Sequence, residues 1–146
     1  MNHEPRVYVS RVIPGAPDDV WDRIRDFDTF DEWGPGPVED CAMEDGAAPT
    51  EVGGVRQFHV GDRTVKELLV AHSDEERFYQ YTMVEGADGK ENYLGELRLI
   101  PITESGETLA VYFVHFDVDE SEMDDAVSHL EKVFGGALQG LHDEFA

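Results

Sequence analysis

Arg56 and Glu67 carry opposite charges at a spacing that pairs them. They flank Gly61-Asp62, a two-residue turn signal between the alternating runs 55–60 and 63–71. With Gly61 and Asp62 as the loop, Val60 pairs with Arg63, Phe58 with Val65 and Arg56 with Glu67. Side chains alternate along a strand, so Arg56, Phe58, Glu67 and Leu69 share one face. Gln57, His59, Thr64 and Lys66 make up the other, which is the solvent side. The spacing therefore predicts an inward-pointing, directly opposed ion pair on an apolar surface. Such an arginine has two uses. It binds or polarises a carbonyl or carboxylate of a ligand, or it forms a structural cross-strand salt bridge. A buried pair is costly to desolvate, so its presence calls for further hydrogen bonds or a ligand.

The second candidate set is Tyr79, Tyr81, Tyr93 and Tyr112. Their hydroxyls suit hydrogen bonding to a ligand or protonation of an enolate. Amphipathic packing with locally satisfied hydroxyls is the alternative. In the run 78–84, Tyr79, Tyr81 and Met83 point inward and Gln80 and Thr82 outward. A hairpin about Ser105-Gly106 sets Leu99 opposite Tyr112 and Leu97 opposite Val114. Thr108, Ala110, Tyr112, Val114 and Phe116 then face in, with Tyr93 on the side of Leu97 and Leu99. Glu96, Arg98, Phe113 and His115 face out. Trp33, just before Gly34-Pro35-Gly36-Pro37, is placed at the mouth of this surface. An apolar, tyrosine-rich lining with one ion pair is the usual form of a small-molecule site.

Other chemistries find little support. The histidines at 3, 59, 72, 115, 129 and 142 lack metal-ligand spacing, so no metal is expected. The acidic run 120–125 lacks the glycine and ligand spacing of a calcium loop. No serine sits in a nucleophile elbow, and Cys41 has no histidine partner in view. Gly53-Gly54 lacks the other glycines and the helix of a dinucleotide site. No cofactor is expected.

The elements that must hold these groups follow from periodicity. The run 6–13 reads as a strand, with Val7 and Val9 on one face and a switch before Val12 and Ile13. Pro17 opens a helix with Asp18 and Asp19 in its first turn. Val20, Trp21, Ile24 and Phe27 form its apolar face, and Phe30 and Trp33 a second short helix. A weak edge strand spans 38–43, followed by a loop over 44–51. From Met123 to Phe145, apolar residues including Phe134, Leu138 and Leu141 recur at three- and four-residue steps, a long helix. Gly135, Gly136 and Gly140 lie within it, at up to about 1 kcal/mol each relative to alanine. They suggest room for a ligand or a neighbouring strand. The order strand, two helices, about six antiparallel strands and a long helix is an α+β layout. A bent sheet around a long helix leaves space for a ligand between the layers.

With these elements in place, Val20-Trp21-Asp22, Asp26-Phe27, Glu32-Trp33, Val52-Gly53-Gly54-Val55-Arg56, Val65-Lys66-Glu67-Leu68-Leu69, Tyr79-Gln80-Tyr81 and the run 108–116 resemble the SRPBCC (START/Bet v 1-like) superfamily. The nearest branch is the polyketide cyclase/dehydrase-like proteins. The resemblance spans nearly the whole chain as one domain, 1–146. It implies a helix-grip fold: a curved antiparallel sheet wrapped around a long C-terminal helix, with a cavity between them that in many relatives holds an apolar or aromatic molecule. It carries no universal catalytic set, because fold does not determine function.

The chain has 146 residues, with 33 acidic against 11 basic side chains and a formal charge of −22. Only three lysines occur, Lys66, Lys90 and Lys132. This balance disfavours nucleic acid and anionic membranes as partners. At 40% hydrophobic residues the chain is too apolar for a solvated acidic coil. A halophilic source and an ordinary acidic cytosolic protein both fit. A single cysteine, no signal-peptide pattern and no apolar run of membrane-spanning length favour a cytoplasmic location without membrane insertion.

The expected function is binding of a hydrophobic small molecule, as a carrier, sensor or lipid-binding protein, by a monomer or homodimer. The expected ligand-binding residues are Trp33, Arg56, Phe58, Glu67, Leu69, Tyr79, Tyr81, Tyr93, Leu97, Leu99, Tyr112, Val114, Phe134 and Leu138. One alternative is a cofactor-free cyclase or dehydratase in which Arg56 stabilises an enolate and Tyr81 or Tyr112 moves protons. Another is an interaction module whose cavity is filled by its own side chains.

Overall fold

A computed structural model describes residues 4–146. Strand β1 (Val7–Ile13) leads into helix α1 (Pro17–Ile24), a 3-10 turn (Phe27–Thr29) and the single-turn helix α2 (Phe30–Trp33). Six strands follow: β2 (Val38–Met43), β3 (Val55–Val60), β4 (Arg63–Ser73), β5 (Phe78–Glu85), β6 (Glu91–Pro101) and β7 (Thr108–Asp117). Helix α3 (Glu120–Phe145) closes the chain. The strands form one antiparallel sheet in the order β1-β7-β6-β5-β4-β3-β2. The sheet curves about α3 as a helix-grip fold. Register shifts between β4 and β5, at Lys66/Glu67 and Leu69/Ala71, mark bulges. Bulges bend and twist a strand, which helps close the sheet around the helix.

Local sequence accounts for the elements. Pro17 lacks the N–H that the first helical turn leaves unused, and Asp18 and Asp19 complement the positive end of α1. Val20, Trp21 and Ile24 are its buried face. Helix α3 buries Leu130, Phe134, Ala137, Leu138 and Leu141 at the predicted helical steps.

The first hairpin has the predicted register: Val60 pairs with Arg63, Phe58 with Val65 and Arg56 with Glu67. Gly61, at φ 62°, supplies the left-handed residue that this short turn needs. The second hairpin does not have the predicted register. Leu99 pairs with Ala110 rather than Tyr112, and Leu97 with Tyr112 rather than Val114. The cause is a four-residue loop, 103–106, where a two-residue loop was expected. Ile102 N–H donates to Glu107 O (2.9 Å) and Gly106 N–H to Ile102 O (2.9 Å). The slip is two residues, equal to the side-chain period, so every inward residue stays inward.

Two further expectations change. The expected switch in β1 is absent: the strand pairs without interruption from Val7↔Val114 to Ile13↔Thr108. Val12 is therefore 45% exposed on the outer face, and Arg11 shares the inner face with Ile13. The helix glycines also divide. A Cβ on Gly140 would lie 2.9 Å from the Trp33 carbonyl, so glycine lets α3 pass close over the end of α2. A Cβ on Gly135 or Gly136 would meet no atom within 4 Å, and nothing in the structure explains these two.

Candidate ligand-binding cavity

Helix α1 and the 3-10 turn fill one half of the concave face. Ile13, Ile24, Phe27, Leu69, Tyr79, Leu97, Leu99 and Leu138 are all 2% exposed or less there, forming closed core. The other half stays open between the first half of α3 and the strands β3, β4 and β5. It holds a cavity of about 180 Å³. Phe58, Glu67, Tyr81, Tyr93, Tyr112 and Phe134 border it. Pro35 and Pro37, Ala87 in the β5–β6 loop, and Leu130 and Val133 of α3 also line it, as do the charged or titratable Arg63, Asp88, Lys90 and His129.

The candidate residues thus fall into two groups. Phe58, Glu67, Tyr81, Tyr93, Tyr112 and Phe134 line the cavity. Arg56, Leu69, Tyr79, Leu97, Leu99, Val114 and Leu138 are buried in closed core instead and do not border the cavity. Trp33 is buried beneath the mouth rather than on it: its ring packs edge-on against Phe30, and its Nε1 donates to Thr29 Oγ1 (3.3 Å). The adjacent prolines 35 and 37 line the cavity in its place. The lining residues of the β5–β6 loop and of α3 at 129–133 were not singled out from sequence. One signal for the loop was available in Gly86. It adopts φ 90°, and a Cβ there would sit 3.0 Å from Thr64 O. Only glycine packs this loop so close to β4.

Arg56 is fully buried. Its Nε and Nη2 both donate to Glu67 Oε1 (2.8 and 2.6 Å), and its Nη1 donates to the carbonyl of Phe27 (3.0 Å). The guanidinium lies 3.9 Å from the Phe27 ring centre and 4.6 Å from that of Phe30. A planar cation that stacks on aromatic faces and forks onto a carboxylate suits this cage. Arg56 therefore ties β3 and β4 to the end of the helix pair. Burial opposes its charge most strongly, but Glu67 together with Tyr79, Cys41 and Tyr112 more than offsets this and holds it well above the usual arginine value. Burial pushes the Glu67 carboxyl up, and Arg56 counteracts part of that rise.

The tyrosines form a ring-on-ring cluster. Tyr81 Oη and Tyr112 Oη are hydrogen-bonded at 2.8 Å. The Tyr93 ring packs 6.1 Å from Tyr81, and Tyr112 stacks on Phe134 at 4.0 Å with planes 4° apart. Gly95, paired with Tyr81 across the strands, makes this possible: a Cβ there would lie 2.6 Å from Tyr81 Cζ. Burial raises the hydroxyls of Tyr81, Tyr93 and Tyr112 above the usual phenol range, so they stay protonated. Tyr79 Oη is buried without a hydrogen-bond partner among the described residues. Burial likewise pushes the Cys41 thiol up, to about 11. Among the described residues, no three His, Cys, Asp or Glu side chains are grouped to hold a metal ion.

A curved sheet gripping a C-terminal helix over a tyrosine-lined cavity agrees with the sequence comparison, in which the model for polyketide cyclase / dehydrase and lipid transport proteins matches residues 4–146. The chain belongs to this family. Among solved structures of similar fold is a protein from Nitrosospira multiformis. It is 30% identical, with 96% of this chain and 95% of that one covered, at a TM-score of 0.85. XoxI from Bacillus cereus is 26% identical over 95% and 94% of the two chains, with a TM-score of 0.84. Major latex-like protein 151 from Panax ginseng shares the fold at a TM-score of 0.78 and 14% identity, covering 96% of each chain. Comparison with curated proteins returned no match. Membership places the protein in the SRPBCC superfamily, whose fold it has. No helix of the described residues is long and apolar enough to cross a membrane.

Proposed function

We propose that this protein binds a small, largely apolar molecule in the cavity between the sheet and α3, without covalent chemistry. The observation that carries the reading is the cavity itself, a largely apolar space of about 180 Å³ bordered by Glu67 and three tyrosines, with Arg63, Asp88, Lys90 and His129 also in its lining. For scale, a dry protein cavity of about 150 Å³ accommodates benzene. One substituted aromatic ring fits the enclosed part, and a longer molecule would extend through the mouth beside Pro35 and Pro37. The stacked Tyr112–Phe134 pair offers flat aromatic surface to such a ligand.

The geometry favours binding over the cyclase or dehydratase reading. That mechanism needs Arg56 at the substrate. Instead, Arg56 is held by Glu67 and Phe27 behind the cavity wall. The tyrosine hydroxyls are held protonated by burial, which makes them hydrogen-bond donors and poor bases. The cavity also counts against an interaction module with a filled interior.

Native mass spectrometry of the purified protein should reveal a co-purified small molecule. A library of small aromatics and lipids should contain compounds that raise the melting temperature, since a ligand that binds only the folded state stabilises it. An empty protein with no thermal response across that library refutes the reading.

A further inference from the structure

The polar equipment of the cavity is lopsided. Both Arg56 bonds to Glu67 fall on Oε1, and Oε2 accepts no hydrogen bond among the described residues. Glu67 is only 5% exposed and borders the cavity, whereas Arg56 does not. A carboxylate oxygen on a side chain so little exposed, bordering an apolar cavity, keeps hydrogen-bonding capacity that a donor inside the cavity can use. The tyrosines contribute the complement. The Tyr81–Tyr112 bond uses one of two hydroxyl protons, leaving one O–H free of that bond, and Tyr93 adds another ring at the same wall.

We propose that Glu67 Oε2 is the acceptor that selects the ligand, so that the cavity takes neutral aromatic molecules carrying a hydroxyl, with phenols the simplest class. This rests on the cavity being a binding site. A phenolic O–H donates to Oε2, while its oxygen accepts from a tyrosine O–H, so one group satisfies both sides. Charge sharpens the choice. Arg56 and Glu67 already neutralise each other, so a cationic ligand would bury a net positive charge. A carboxylate would set two anions against one another in a poorly solvated space. The cations near the cavity, Arg63 and Lys90, do not change this. Arg63 is bridged to Asp88, and Lys90 donates to the Ala87 carbonyl (3.4 Å).

The test uses three ligands of one shape on the wild-type protein: 4-ethylphenol, 4-ethyltoluene and 4-ethylbenzoate, measured by calorimetry or by NMR titration. The phenol should bind about tenfold or more tighter than the toluene, because a hydrogen bond to a charged acceptor is stronger than a neutral one. The benzoate should bind weakest. Glu67→Gln, with its fold checked by circular dichroism, turns an amide N–H toward the cavity and should erase the phenol's advantage. If that variant does not fold, the wild-type comparison of phenol with toluene decides alone. Equal or tighter binding of the toluene or the benzoate overturns the Glu67 assignment while leaving the cavity a binding site. Failure of all three ligands to bind defeats the binding reading itself, and the inference with it.

Discussion

Arg56→Met removes a fully buried guanidinium and keeps an apolar side chain of similar length. Three hydrogen bonds disappear: two to Glu67 Oε1 at 2.8 and 2.6 Å, and one to the Phe27 carbonyl at 3.0 Å. Removing one partner of a buried ion pair costs about 3–5 kcal/mol, because the other charge stays behind without compensation. The orphaned Phe27 carbonyl adds about 1 kcal/mol. A loss of about 4–6 kcal/mol is a large share of the 5–15 kcal/mol typical of a domain. It lowers the melting temperature by roughly 10–20 °C. The loss should depend on pH with a definite sign. Burial already raises the Glu67 carboxyl above the usual carboxylate range, and Arg56 is what counteracts this. In the variant the carboxyl rises further, so the native state holds a proton that the unfolded chain releases. Stability is then fully present below about pH 4.5 and falls as pH rises through the elevated value. Urea melts at pH 4.5, 6 and 8 measure this directly. The double variant Arg56→Met/Glu67→Leu, which removes both charges, should recover to within about 2 kcal/mol of wild type. A single-variant loss under about 1 kcal/mol, a loss independent of pH, or a double variant as unstable as the single would refute the buried-pair reasoning.

Gly95→Ala should lower stability by about 1–3 kcal/mol through overpacking, because its Cβ would lie 2.6 Å from Tyr81 Cζ. Near-ultraviolet circular dichroism should change as Tyr81 leaves Tyr112, and unchanged urea melts and spectra would contradict the packing. In an alkaline titration followed by phenolate absorbance, four of the five tyrosines should ionise only on unfolding. Burial raises Tyr79, Tyr81, Tyr93 and Tyr112, so stability should fall steeply as pH climbs above about 10; gradual ionisation of the native state would refute this. With a formal charge of −22, stability should rise as salt goes from 0.01 M toward 1 M, where the screening length falls from about 30 to about 3 Å. A flat response in thermal melts would count against a halophilic origin.

The inner faces of the strands were legible because alternation is a local property. Glu67 is the carboxylate on that inner face, and its partner Arg56 followed from one glycine turn. The second hairpin shows the limit of turn reading. Ser105-Gly106 marks a turn, but loop length depends on which backbone groups close it, here Ile102 with Glu107. The error was even, so Tyr112 and Val114 kept their face while changing partners. In β1, Val12-Ile13 looked like a switch because both residues are apolar. Continuous pairing with β7 overrides that local pattern and leaves Val12 exposed.

By itself, the sequence determined the order of elements, the apolar stripe of α3 and the pairing of Arg56 with Glu67, since each rests on spacing within a few residues or across one tight turn. Only the tertiary structure decided which inward side chains are core and which are cavity wall. Leu69 and Phe58 share one face of adjoining strands, yet α1 and the 3-10 turn cover Leu69 while Phe58 borders open space. That division depends on how far two short helices reach over the sheet, a packing distance between segments remote in sequence. The same packing seals Arg56 behind Phe27 and puts both of its bonds to Glu67 on Oε1, with Glu67 itself at the cavity wall.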